Sequence, residues 1–138
     1  MKRHESLEEI EGVLLAAGEA GQRAILAQDD MMTIEQVAEL LELPVASIAW
    51  LRDHGGLLAL ELGEVRCPAF QFEPRVREAI PAVLEAFGPG RAWQAYDFCN
   101  RPEPMLSGKT PLDCLRSGSA EKVLMAAKAA GSLDHGGY

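Results

Sequence analysis

The sequence predicts a mainly α protein: an N-terminal helix, a helix-turn-helix followed by a small β-hairpin, and a C-terminal small helical bundle. Three observations predict it. Apolar residues recur at spacings of three and four along most of the chain. Aromatic residues make up only 6% of it, so helices packed through Leu, Ala, Val and Ile are the natural core. Alternation, the mark of a strand, is confined to the short stretches 57–67 and 68–72. The 138 residues divide into two small modules, 1–73 and 74–138.

Residues 6–28 read as one amphipathic helix or two short ones. Ser6 is followed by Glu8 and Glu9, which place negative charge in the first turn. Leu7, Ile10, Leu14, Ala17, Gly21, Ala24 and Ile25 fall on one side. That face either packs on its own module or meets a second copy. Asp29-Asp30-Met31-Met32 is the first break. Thr33 and Gln36 then form a capping box, and Ile34, Val37, Ala38 and Leu41 follow at helical spacing. Leu43-Pro44 is a turn with Pro44 at the first position of the next helix, which runs from Val45 to about His54 with Ile48 and Leu51 inward. Gly55-Gly56 ends it. Residues 57–62 and 64–67 flank Gly63 as two short strands. Pro68 argues against a central strand position, and 68–72 reads as an extended connector with Phe70 and Phe72 on one side.

In the second module, Val76, Ile80, Val83, Leu84 and Phe87 form a helical stripe. Pro81 would break an interior hydrogen bond, so this helix begins near Pro81 or kinks there. Gly88-Pro89-Gly90 is a stop, and Arg91 to about Asn100 is the next helix, carrying Trp93 and Tyr96 three apart. After the loop 101–104 comes Leu106-Ser107-Gly108-Lys109-Thr110-Pro111-Leu112-Asp113. Thr110 stands at an N-cap, Pro111 at the first helical position and Asp113 where it can answer Thr110. Gly108 permits the turn before them. Residues 119–130 form the last helix, with Val123, Leu124, Ala127 and Ala130 inward and Gly131 as its stop. Residues 132–138 are a tail.

Charge and chemistry narrow the function. The net charge is −8, but residues 1–73 hold five basic and fourteen acidic side chains while residues 74–138 hold eight basic and seven acidic. A duplex-binding face needs the opposite sign in the front half. Cys67, Cys99 and Cys114 are irregularly spaced and read as reduced, partly buried thiols, not metal ligands. No nucleophile–base set, phosphate loop or metal-ligand spacing appears, so catalytic residues, cofactors and metals are expected to be none. No signal sequence or run of eighteen apolar residues is found, and a cytoplasmic protein is expected, with no membrane partner.

Two resemblances add to this. The ordered set Trp93, 106–113, then Leu115-Arg116-Ser117-Gly118 and Val123 resembles the toxin-binding domain of the Xre/MbcA/ParS antitoxin group over residues 88–131. Ser107 stands where that group has the first of two glycines, and Gly108, Thr110, Pro111, Leu112 and Asp113 match its core. The resemblance implies a protein partner, a RES-domain toxin that attacks NAD or transfers ADP-ribose. It implies contact through Trp93, Lys109, Arg116, Lys122, Lys128 and Tyr138. Residues 33–67 are similar to the excisionase and MerR-like winged helices. That similarity implies operator DNA contacts from Ser47, Trp50 and Arg52 on the second helix and Arg66 on the wing. The Pro-Ala-x-Gln-Phe stretch at 68–72 resembles the segment that joins two such modules. The expected function is thus an antitoxin-like protein with DNA-binding autoregulation and a homodimeric state. The alternative is a DNA-binding regulator or excisionase-like accessory factor without a toxin. A further alternative is an adaptor whose winged helix contacts protein.

Overall fold

The computed structural model describes residues 18–134. It is mainly helical with a small antiparallel sheet, as the sequence predicts. Helix α1 occupies 18–26 of the described residues. Strand β1 (Met31–Met32), α2 (Ile34–Leu41), α3 (Val45–Asp53), β2 (Leu60–Leu62) and β3 (Glu64–Pro68) follow. Then come a 3₁₀ turn (Ala69–Phe72), α4 (Pro74–Phe87), α5 (Ala92–Asn100), a second 3₁₀ turn (Pro104–Leu106), α6 (Pro111–Arg116) and α7 (Ala120–Asp134).

The start of α2 is the box the sequence predicts. Thr33 Oγ1 accepts from the Gln36 backbone N–H at 3.1 Å, and Gln36 Oε1 accepts from the Thr33 N–H at 2.8 Å. Pro44 is the N-cap of α3, one residue before the predicted place. Gly55 takes φ +76° just past the end of α3, and the Gly56 N–H returns to the Leu51 carbonyl at 2.8 Å. Gly63, at φ +75°, lets Leu62 pair with Glu64 across the tight β2–β3 turn.

The sheet order is β1-β3-β2, so β3 is central. This overturns two readings. Met31 and Met32 are not a break: they pair antiparallel with Pro68 and Cys67. Pro68 therefore ends the central strand. It is tolerated there because it is the last residue, and the next N–H, of Ala69, bonds to the Asp30 carbonyl at 2.9 Å. The segment after it is a 3₁₀ turn, not an extended connector, and its two phenylalanines part company.

Two apolar clusters lie on opposite sides of this sheet. The smaller holds Val37, Ala38, Ile48, Leu57 and Cys67, with Met32, Ala59 and Phe72 against it. The larger holds Leu26, Met31, Leu58, Leu60 and Phe70 together with the inner faces of α4 to α7. Successive residues alternate between clusters, Met31 and Met32 in β1 and Leu57 and Leu58 in the segment leading into β2. The larger cluster joins residues from both sides of position 73.

Gln71, between Phe70 and Phe72 in the 3₁₀ turn, is fully buried. Its Oε1 accepts from the Leu58 N–H at 2.9 Å, and its Nε2 donates to the carbonyls of Leu58 (2.8 Å) and Pro68 (3.0 Å). It supplies the partners that Leu58, outside any strand, would otherwise lack.

Three more readings need correction. In α1 the last turn meets the larger cluster: Leu26 is buried and Ile25 of the predicted stripe packs against it, while Gly21 and Ala24 of that stripe face solvent. The predicted positions 6–17 of that helix lie outside the described residues. Helix α4 runs unbroken from Pro74 through Pro81, so it does not begin at Pro81; that proline sits on the exposed side. Gly131 is not a stop, since α7 continues to Asp134. A Cβ at Gly131 would overlap the Ala86 carbonyl, so its role is to let α7 lie against the end of α4. The three cysteines are free and buried, as the sequence predicts, and burial pushes two of the thiols up, Cys67 to about 11 and Cys99 to about 12. Among the described residues no helix is long and apolar enough to cross a membrane.

Candidate functional site

The C-terminal motif folds as a closed loop feeding a capped helix. The Glu103 N–H meets the Lys109 carbonyl, and the Gly108 N–H meets the Glu103 carbonyl, both at 3.0 Å. Leu106 is buried inside this loop. Ser107 and Gly108 both take positive φ, +59° and +81°. A serine in the left-handed region is strained relative to glycine. Ser107→Gly is therefore expected to stabilise the fold by about 0.5–1 kcal/mol, the relief of strain partly offset by a looser unfolded chain. A urea unfolding series checks it.

Thr110 caps α6 as predicted, accepting from the Asp113 N–H at 3.1 Å, with Pro111 next. The reciprocal half of the box is missing. The Asp113 carboxylate lies 3.4 Å from Arg116 Nη1 instead of returning to the Thr110 N–H. Asp has one methylene fewer than the Glu or Gln that usually closes the box.

Arg116, expected at a partner interface, is engaged within the chain. Its Nε and Nη2 each meet one Glu73 oxygen at 2.8 Å, a two-point pair. Arg75 Nη1 donates to the Arg116 carbonyl at 3.1 Å and so covers the end of α6. The Arg116 hydrogen bond holds the Glu73 carboxyl below the usual carboxylate range. A carboxylate depressed by folding stabilises above its unfolded pKa, about 4.3, and loses that contribution as pH falls through its folded value. Arg116→Ala is expected to cost about 0.5–1 kcal/mol near neutrality, since both side chains are part-exposed and screened. The cost should fade as the pH drops below about 5. Chemical denaturation of both proteins across that range checks it.

Trp93 is half-buried. It packs against the larger cluster, lies edge-on to Tyr96, and donates from Nε1 to the Glu61 carbonyl at 3.1 Å. It holds α5 to the hairpin. Lys109, Lys122 and Lys128 are exposed and make no ion pair among the described residues. Between the last two on α7 stands Met125, 63% exposed, and Met105 on the neighbouring 3₁₀ turn is 53% exposed. Neither methionine stood out in the sequence, because helical spacing alone does not say which face is covered. Tyr138 lies outside the described residues.

The α2–α3 unit presents a different surface. Ser47 is half-buried. Arg52 Nη2 is 2.8 Å from Glu61, and Arg66 Nη2 is 2.9 Å from Glu64. Arg66 also donates to the Val65 carbonyl at 2.8 Å. Both arginines expected on DNA are thus neutralised within the chain. Trp50 is 57% exposed, its ring stacked on His54 at 3.9 Å. A cleft of about 800 Å³ opens between the end of α3, the hairpin and the α4–α5 turn, lined by Arg52, His54, Glu61, Leu84, Arg91 and Trp93 among others. Among the described residues no group of three His, Cys, Asp or Glu is placed to hold a metal ion.

Comparisons of the chain with protein-family models, with curated proteins and with solved structures found no match.

Proposed function

We propose that this protein is a non-enzymatic, antitoxin-like binder that neutralises a RES-type, NAD-targeting toxin through its C-terminal helices. The observation that carries the reading is the outward face of α7. There Met125 is exposed between Lys122 and Lys128, and neither lysine has an ion-pair partner among the described residues. An exposed methionine with polar groups at its edge fits the apolar-centre, polar-rim pattern of a protein-contact patch. The positive φ of Ser107, at the position of the antitoxin group's first glycine, also supports it. Of the expected partner-binding residues, Trp93 and Arg116 have intramolecular partners, Lys109, Lys122 and Lys128 stay in the set with Tyr138, which lies outside the described residues, and Met125 is added. Autoregulation by DNA and a homodimeric, cytoplasmic state belong to the same proposal, but the paired arginines weaken its DNA arm.

The test is growth rescue on co-expression with a RES-domain toxin. The native chain should protect. The triple variant Lys122→Glu, Met125→Glu, Lys128→Glu should lose protection, with affinity down by about 10²-fold or more. Its unfolding free energy should stay within about 0.5 kcal/mol of the parent, since all three side chains are exposed. Undiminished rescue by the triple variant would refute the contact.

A further inference from the structure

Six large apolar side chains are exposed among the described residues, and four of them, Leu40, Leu43, Val45 and Trp50, fall within eleven residues of the α2–α3 turn. Ala46 and Ala49, also exposed, lie between Val45 and Trp50 on α3. Small residues flanked by larger ones let a second helix approach to about 8–10 Å. We propose that this face is a docking seat for a basic amphipathic helix of a partner protein, separate from the α7 surface.

Charge selects the occupant. Exposed Glu35 and Glu39 on α2, Glu42 at its C-cap and Asp53 at the end of α3 are the carboxylates of the same two helices, and none has an ion-pair partner among the described residues. The one cation on α3, Arg52, is held by Glu61. A second copy related by a two-fold axis would bring carboxylates against carboxylates, and duplex DNA would bring phosphates against them. A helix with an apolar stripe and lysines or arginines beside it satisfies both the apolar face and the carboxylates.

Nuclear magnetic resonance of the full chain tests this, because Trp50 and Trp93 give separate indole N–H signals, assigned with Trp50→Phe. The probe is a synthetic amphipathic Leu/Lys helix, compared with a Leu/Glu helix of the same apolar stripe and with a short DNA duplex. The Leu/Lys helix should shift the Trp50 indole and the amides of 40–53 while leaving the Trp93 indole in place. Its affinity should fall tenfold or more in Trp50→Ala and in Glu39→Lys/Glu42→Lys. Reversal of the exposed α4 charges, Glu78→Lys/Glu85→Lys, should change it less than twofold. The proposal fails if the α4 reversal costs as much, or if Trp50 does not respond. It also fails if the Leu/Glu helix or the duplex binds as tightly. Concentration-dependent shifts of the same signals without peptide would assign the seat to a second copy and overturn it.

Discussion

Gly131→Ala is expected to destabilise the protein by about 2–4 kcal/mol, against the helix-propensity gain of about 1 kcal/mol that alanine would bring elsewhere. The sign rests on geometry. An added Cβ at Gly131 meets the Ala86 carbonyl oxygen and carbon, which are backbone atoms near the end of α4 and cannot rotate away. Relief requires α4 and α7 to separate. That would loosen contacts made by Val83, Phe87, Val123, Ala126 and Ala127, all buried in the larger cluster. Urea unfolding gives the size, and an unchanged or raised midpoint would show that α7 does not lie this close to α4.

Gln71→Leu is expected to cost about 3 kcal/mol despite its similar volume. The site is fully buried, and the substitution strips hydrogen bonds from the Leu58 N–H and from the carbonyls of Leu58 and Pro68. A buried polar group left without a partner costs about 1–3 kcal/mol, and relaxation around leucine limits the sum. The same variant should speed hydrogen exchange at the Leu58 amide ahead of global unfolding, as that N–H would have lost its acceptor. A stability loss below about 0.5 kcal/mol, with slow exchange at Leu58 retained, would refute this role.

What the sequence made legible was local. Thr33 with Gln36, and Thr110 with Pro111, are signals contained within four residues, and both caps stand where they were placed. The small hairpin about Gly63 was equally readable, because a glycine turn between apolar runs has few other uses. What escaped depended on distant chain. A two-residue strand such as Met31–Met32 has no periodicity to detect, and only its pairing with β3 defines it. Gly131 looked like a helix stop because a glycine that makes room for another helix's backbone is identical, in sequence, to one that ends its own. Phe70 and Phe72 were assigned one side by strand alternation, whereas the 3₁₀ turn sends them to different clusters.

The candidate site divides along the same line. Arg52, Arg66 and Arg116 had the right chemistry for phosphates or a partner, but their carboxylate neighbours lie 9, 2 and 43 residues away. Of these three only the pair two apart is local in sequence, and the second carboxylate near Arg116, Asp113, is three residues away. Met125 and Trp50 became informative once the covered faces of α7 and α3 were known.

The sheet between the two clusters has one more consequence. With Leu57, Cys67 and Phe72 turned one way and Leu58, Leu60 and Phe70 the other, the front half fills the smaller cluster by itself and also supplies one side of the larger. A chain cut at residue 73 would put the second group in water, so exchanging either half for an unrelated one by recombination would require a replacement that upholsters the same surface.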